Sequence, residues 1–216
     1  MVVINNPGLK IKEYDFPSSL WTINQLFYPI LMQYVFLPLF RFGIGRTFYS
    51  LMFELNVFSL RSVDKKENQG VLPEYFGKRM PNALAALALN QLGKIDRFNN
   101  KRKEIAKLYF DNFKNSSVKT VFRSEFGNRD PVFLKFPILV DNPEKVLRDL
   151  RKENIFINDG WRETVIVPPL TNQEKMKYTK GDCKHGEEIS KKILSLPTHA
   201  KLTAEDVKKI AWIIKK

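Results

Sequence analysis

The sequence predicts an α/β fold: a small mixed or antiparallel sheet with flanking helices, joined to an apolar helical insertion. Two observations predict it. Between residues 80 and 216, short runs rich in Val, Ile and Phe are interleaved with segments of helical periodicity. Ahead of them, Leu20 to Phe42 is the most hydrophobic stretch of the chain, and prolines interrupt it.

Met1-Val2-Val3-Ile4 reads as a short strand ended by a turn at Asn5-Asn6-Pro7-Gly8. The apolar stretch that follows approaches the roughly 20 residues needed to cross a bilayer. Asn24, Gln25 and Gln33 oppose spanning, and Pro29 and Pro38 are expected to break it into short helices. A second apolar stretch runs from Phe48 to Leu60. Three readings of residues 20–60 stay open: a buried or oligomer-interface insertion, an element lying in the plane of a membrane surface, and a transmembrane helix. Ser62 to Gly70 is polar and reads as a loop.

Leu84, Leu87, Ala88, Gln91, Leu92, Ile95 and Phe98 recur at helical spacing, continued by Ile105, Leu108, Tyr109 and Phe113. They predict one long or gently broken helix over 81–114, with core packing as the ordinary role of this stripe. Val118 to Phe122 and Val132 to Val140 read as strands around a turn at Arg129-Asp130-Pro131. Asp141-Asn142-Pro143 opens a helix running to about Glu153. Asn154 to Asn158 and Val165 to Val167 are short strand candidates, with a turn at Asp159-Gly160. Glu187 to Lys192 ends a helix, and Ile193 to Pro197 reads as a buried strand. Thr203 caps a final amphipathic helix carrying Val207, Ile210, Ala211, Ile213 and Ile214.

A chain of 216 residues can bury a sizeable core. Its single cysteine, Cys183, excludes an intramolecular disulfide framework and a cysteine-rich zinc site, which suits a reducing compartment. No basic leader with an apolar core opens the chain, so a cytoplasmic location is expected, with membrane association through residues 20–60 kept open. The net charge of +13 is spread over helical faces rather than gathered in one run. No zinc-finger spacing, helix-turn-helix signature or aromatic-interleaved basic motif points to nucleic acid. The chain also lacks a glycine-rich phosphate loop, a nucleophile elbow and a His-Glu-x-x-His motif. His185 and His199 sit in polar contexts suited to the surface. Cys183 lies beside Lys184 and His185, cations that lower a thiol pKa, but without a visible catalytic partner it reads as structural.

Three patches, taken in order, carry a resemblance. Arg79-Met80 precedes an alanine-rich helix ending in Gln91-Leu92, followed by Arg102-x-x-Ile105-Ala106-x-x-Tyr109. Phe136 to Val140 is followed downstream by Asn154-Ile155. Cys183 is followed by Leu194-Ser195-Leu196-Pro197 and Leu202-Thr203-x-x-Asp206-Val207. Together these patches, over about residues 71–216, resemble the C-terminal portion of pyridoxal-phosphate sugar aminotransferases of the DegT/DnrJ/StrS type. Met1 to Gly8 is similar to the strand that follows the cofactor-lysine segment in that family. The apolar insertion is a departure from it.

The resemblance implies the C-terminal small domain of a type I aminotransferase-like fold over residues 71–216. Residues 1–19 would then be a remnant strand and connection from a large domain, and residues 20–70 an apolar insertion and polar loop. It implies transfer of an amino group from glutamate to a nucleotide-linked keto sugar, with pyridoxal phosphate as electron sink, in a setting of polysaccharide biosynthesis. The catalytic Schiff-base lysine is expected upstream of Met1, so no catalytic residue is assigned and the chain alone is expected to be inactive. The expected partner is a second copy in a homodimer, or a complementary large-domain chain. An Asn-Tyr-Arg-Met element of the family reaches the neighbouring subunit's cofactor phosphate. Here that run is Gly77-Lys78-Arg79-Met80. Arg79 matches, Lys78 offers a substitute charge, and Gly77 cannot supply the asparagine's hydrogen bond. Trp161, after Asp159-Gly160, falls where the family's substrate-side loop runs. The competing reading is a non-catalytic membrane-surface or partner-binding protein built on a remnant of this fold.

Overall fold

The computed structural model describes residues 14–41, 44, 45, 47, 48, 51, 68–72, 76–120, 130–157, 162–165 and 171–216. The strand expected at Met1 to Ile4 and the turn at Asp159-Gly160 lie outside the described residues, as does most of the stretch from Phe48 to Leu60. The chain divides into two compact units, residues 1–66 with 72–90 and residues 67–71 with 91–216.

In the first unit, α1 (Ser19–Leu31) starts where Ser18 accepts a hydrogen bond from the Trp21 N–H. Pro29 does not break it, contrary to expectation: the helix continues through the proline to Leu31. The helical register changes just afterwards, in a π turn over Met32–Phe36 that leads directly into α2 (Leu37–Arg41). There the Leu37 N–H donates to the Met32 carbonyl, five residues back. The π turn thus lies between Pro29 and Pro38, each of which removes one donor from the helical ladder. Phe36 is buried, with its ring 5.6 Å from that of Phe48. Among the described residues no helix is long and apolar enough to cross a membrane.

The predicted long helix is broken into α3 (Asn82–Leu92) and α4 (Ile95–Phe113), where Gly93 and Lys94 form a turn. The core expectation divides at the same place. No residue of α3 is buried, and Leu87 and Leu92 are exposed. Ile105, Tyr109 and Phe113 of α4, spaced four apart on one face, are fully covered.

The second unit is a three-stranded antiparallel sheet with helices packed on it. Its order is β1 (Lys119–Thr120), β2 (Lys135–Leu139), β3 (Ile193–Pro197). The β2–β3 register sets Phe136 opposite Leu196 and Ile138 opposite Leu194. All four side chains are buried on the same face, the period-2 pattern of a sheet with one face on a core. Helix α5 (Pro143–Lys152) starts as expected: Asn142 caps it by accepting from the Lys145 N–H, and proline sits in its first turn. Leu147 and Leu150 point into the core. Asn154 has φ +57°, and the Ile155 N–H reaches back to the Leu150 carbonyl at 2.9 Å. That is a helix stop with a left-handed residue just past the end, so the strand expected at Asn154 to Asn158 is replaced, over 154–157, by a cap and chain without regular secondary structure.

Helix α6 (Lys184–Lys192) runs straight into β3, and α7 (Ala204–Lys215) closes the chain. The Thr203 hydroxyl accepts from the Asp206 N–H while the Asp206 carboxylate accepts from the Thr203 N–H, a reciprocal capping box. Val207, Ile210, Ala211 and Ile214 of α7 join the core, where the helix packs against α4 and α5. At the centre the Tyr109 ring stacks on Phe136 at 5.2 Å, and Phe110 meets Phe136 edge-on at 4.7 Å.

Candidate functional site

The two basic residues singled out in the sequence, Lys78 and Arg79, sit on an exposed turn just ahead of α3 in the first unit. Gly77 shapes that turn. Its φ is +73°, a left-handed conformation in which L side chains with a Cβ are strained, and the Tyr14 ring lies 3.6 Å from where a Cβ would stand. Glycine and asparagine are the two residues that tolerate this conformation best.

A segment far away in sequence holds the turn. The Arg79 N–H donates to the Asp15 carbonyl at 2.9 Å. Lys78 Nζ lies 3.7 Å from Asp15 Oδ2. The Arg79 guanidinium lies over the Phe16 ring, 4.7 Å from its centre. The stacking occupies a face of the guanidinium and leaves its edge N–H groups for an anion, the geometry in which arginine binds phosphate or carboxylate. The Asp15 carboxylate is almost fully exposed, so its hold on Lys78 is the weak, solvent-screened kind. The arrangement presents two adjacent cations on a backbone fixed by one hydrogen bond, one ring and one glycine. These donors fit a phosphate group. Asp15 and Phe16 went unnoticed in the sequence, because nothing local links them to residues more than sixty positions on.

Trp161 lies outside the described residues. Its neighbour Arg162 is paired with Glu163 at 2.8 Å and Glu144 at 3.8 Å. The Glu163 N–H donates to the Ser190 carbonyl at 2.8 Å, which ties this point of the chain to α6. Cys183 is free and exposed, and His185 is exposed with Glu188 3.9 Å away. Among the described residues no three His, Cys, Asp or Glu side chains gather as a metal-binding set. The second unit contains a cleft of about 550 Å³, where Lys119, Lys145, Lys191 and Lys192 stand with Asp141 and Glu188 above an apolar floor.

Comparison with known proteins places this architecture. The chain is 26% identical over 143 residues to the uncharacterized protein MJ1066 of Methanocaldococcus jannaschii, which is 63% of this chain and 36% of that protein. Among solved structures it resembles a DegT DnrJ EryC1 StrS aminotransferase from Brucella abortus, at 20% identity and a TM-score of 0.54, over 80% of this chain and 43% of the other. It also resembles Helicobacter pylori PseC, an aminotransferase involved in the biosynthesis of pseudoaminic acid, at 24% identity and a TM-score of 0.52, over 67% of this chain and 39% of the other. The PLP form of Streptococcus pneumoniae Spr1654 matches at 22% identity and a TM-score of 0.55, over 67% of this chain and 37% of the other. The chain thus spans well under half the length of each of these relatives. The sequence model of the DegT/DnrJ/EryC1/StrS aminotransferase family matches residues 50–215, most of the chain, and the chain belongs to that family.

Proposed function

We propose that this chain forms the C-terminal part of a pyridoxal-phosphate enzyme that moves an amino group from glutamate to a nucleotide-linked keto sugar. Residues 71–216 act as the aminotransferase small domain, residues 1–19 as the connection to a large domain, and residues 20–70 as an insertion. The observation that carries the reading, beside family membership, is the Gly77–Met80 turn, which presents Lys78 and Arg79 together on a backbone held by Asp15 and Phe16.

When bound, pyridoxal phosphate supplies the electron sink for the transfer. Arg79 offers its guanidinium edge to the phosphate and Lys78 adds a second positive charge, so both residues bind and orient rather than react. Trp161 contributes to the sugar side. A second copy of the chain, or a chain carrying the large domain, completes the site. The 216 residues alone do not turn over.

The test is retention of pyridoxal phosphate in equilibrium dialysis, with pyridoxal as the control that lacks the phosphate. Arg79→Ala should weaken retention of pyridoxal phosphate by about tenfold or more, the worth of a charge-assisted hydrogen bond. Lys78→Ala should weaken it less, and neither should affect pyridoxal. Unchanged retention in Arg79→Ala removes the phosphate role. Glutamate-dependent amination of a nucleotide-linked keto sugar by the chain alone would overturn the incomplete-site reading.

A further inference from the structure

Between Asp15 and Arg41 the sequence carries no charged side chain. Most of that run is helical: α1, the π turn and α2 follow one another from Ser19 to Arg41. A helix on a water-facing surface turns its polar side chains out and its apolar side chains in. Much of this helix departs from that pattern. Thr22, Asn24 and Gln25 are half-buried, whereas Leu20, Ile23, Phe27, Ile30, Tyr34 and Leu37 are exposed, from 48% at Ile23 to 75% at Tyr34. Phe36 is buried instead, near Phe48. Contiguous exposed apolar surface beyond a few hundred Å² marks a binding site in a folded protein.

The chemistry of the run favours lipid as the occupant. Its cations lie only at the flanks, with Lys10 and Lys12 before it and Arg41 and Arg46 after it. That placement suits anionic headgroups, and Trp21, Tyr28 and Tyr34 are the aromatic types that settle at headgroup depth. Interfacial helices normally need a charged face toward water. Here Thr22, Asn24 and Gln25 are half-buried within the unit, and the exposed polar side chains, Ser19 and Gln33, are uncharged, so the exposed surface is mainly apolar. A coiled coil with a second copy requires an unbroken seven-residue repeat. The π turn at Met32–Phe36 interrupts the register, and Val35 is exposed beside Tyr34, so the apolar surface is broader than a seam.

We propose that the helix from Ser19 to Arg41 lies in the plane of an anionic phospholipid surface, its exposed apolar face in the acyl boundary. This holds or fails independently of the aminotransferase reading.

The test is co-sedimentation of the full 216-residue chain with phosphatidylglycerol–phosphatidylcholine vesicles. The wild type should bind. Ile23→Ser/Phe27→Ser/Ile30→Ser should bind about tenfold less or worse, because binding scales with buried apolar area. The circular dichroism and melting temperature of that variant should match the wild type, since all three side chains are exposed. Leu87→Ser, an exposed change on α3, should leave binding intact. In a Trp161→Phe/Trp212→Phe background, Trp21 emission should shift to the blue on vesicles and be quenched by lipid brominated near the headgroup. Equal binding by the triple variant would mean that net charge alone holds the chain, and would overturn the proposal. So would no vesicle binding by the wild type together with lipid-free self-association that the triple variant loses, which would assign the face to a second copy. Carbonate-resistant binding with quenching only by deep bromines would also overturn it, in favour of a spanning helix.

Discussion

The Tyr178 hydroxyl donates to Glu187 Oε1 at 2.7 Å, and the Gly181 N–H donates to the same oxygen at 2.5 Å. The pair ties the loop ahead of α6 to the first turn of that helix. The hydrogen bond from Tyr178, then that from Gly181, holds the Glu187 carboxyl below its usual 4.5. The same bond pushes Tyr178 up to about 12. A lowered carboxylate stabilises the fold above its unfolded pKa and loses that contribution as pH falls through the lowered folded value. A raised tyrosine stabilises below its unfolded value of 10.0 and loses that contribution as pH rises toward about 12. Tyr178→Phe should therefore lower the melting temperature between about pH 5 and pH 9 and flatten both limbs of the wild-type profile. Thermal melts of the two proteins across pH check this, and superimposable profiles would count against it.

Tyr109 is fully covered, and its hydroxyl has no hydrogen-bond partner among the described residues. Burial, then the nearby Asp206 charge, pushes its pKa up, so it stays neutral. A buried hydroxyl without a partner costs about 1–3 kcal/mol. Tyr109→Phe keeps the stacking on Phe136 and removes that cost, so it should raise unfolding free energy by about 1 kcal/mol in urea titration.

Removing the hydroxyl of the α7 capping box acts in the opposite direction. Thr203→Ala should lower unfolding free energy by about 1 kcal/mol, the usual worth of an N-cap. Hydrogen bonds from the Thr203 backbone and then its side chain hold the Asp206 carboxyl below 3.8. Its contribution is present above that value and fades as pH falls through the lowered one. The variant should thus lie closest to the wild type in acid, as denaturant titrations at pH 7 and pH 3 would show.

Gly77 gives a test of the turn that presents Arg79. Gly77→Ala forces a Cβ into φ +73° and should cost about 1–2 kcal/mol. Gly77→Asn should cost less, because asparagine tolerates the left-handed region. Equal losses in thermal unfolding would show that crowding by Tyr14, rather than the backbone angle, sets the requirement.

Of the candidate site, Lys78 and Arg79 were legible as residues, but the reason they point where they do was not. A cation pair after a glycine is visible in one dimension. The Asp15 carbonyl and the Phe16 ring that orient it come from the far side of the apolar segment, and only chain folding brings them near. The stripe from Leu84 to Phe113 was similarly ambiguous. Its periodicity signals a helix, but burial depends on which partner a face meets, and only α4 finds one.

The sequence by itself determined the elements whose signals are local. Asn142-Pro143 starts α5, Thr203 with Asp206 starts α7, and the mostly apolar run at Ile193 to Pro197 makes β3, because caps and short-range periodicity act within a few residues. The tertiary structure decided the rest. It set β3 against β2 across more than fifty residues, stopped α5 at a left-handed Asn154, and kept α1 helical through Pro29. Each of these outcomes balances a local cost in backbone energy against burial with distant partners, and the distances that settle that balance exist only in the folded chain.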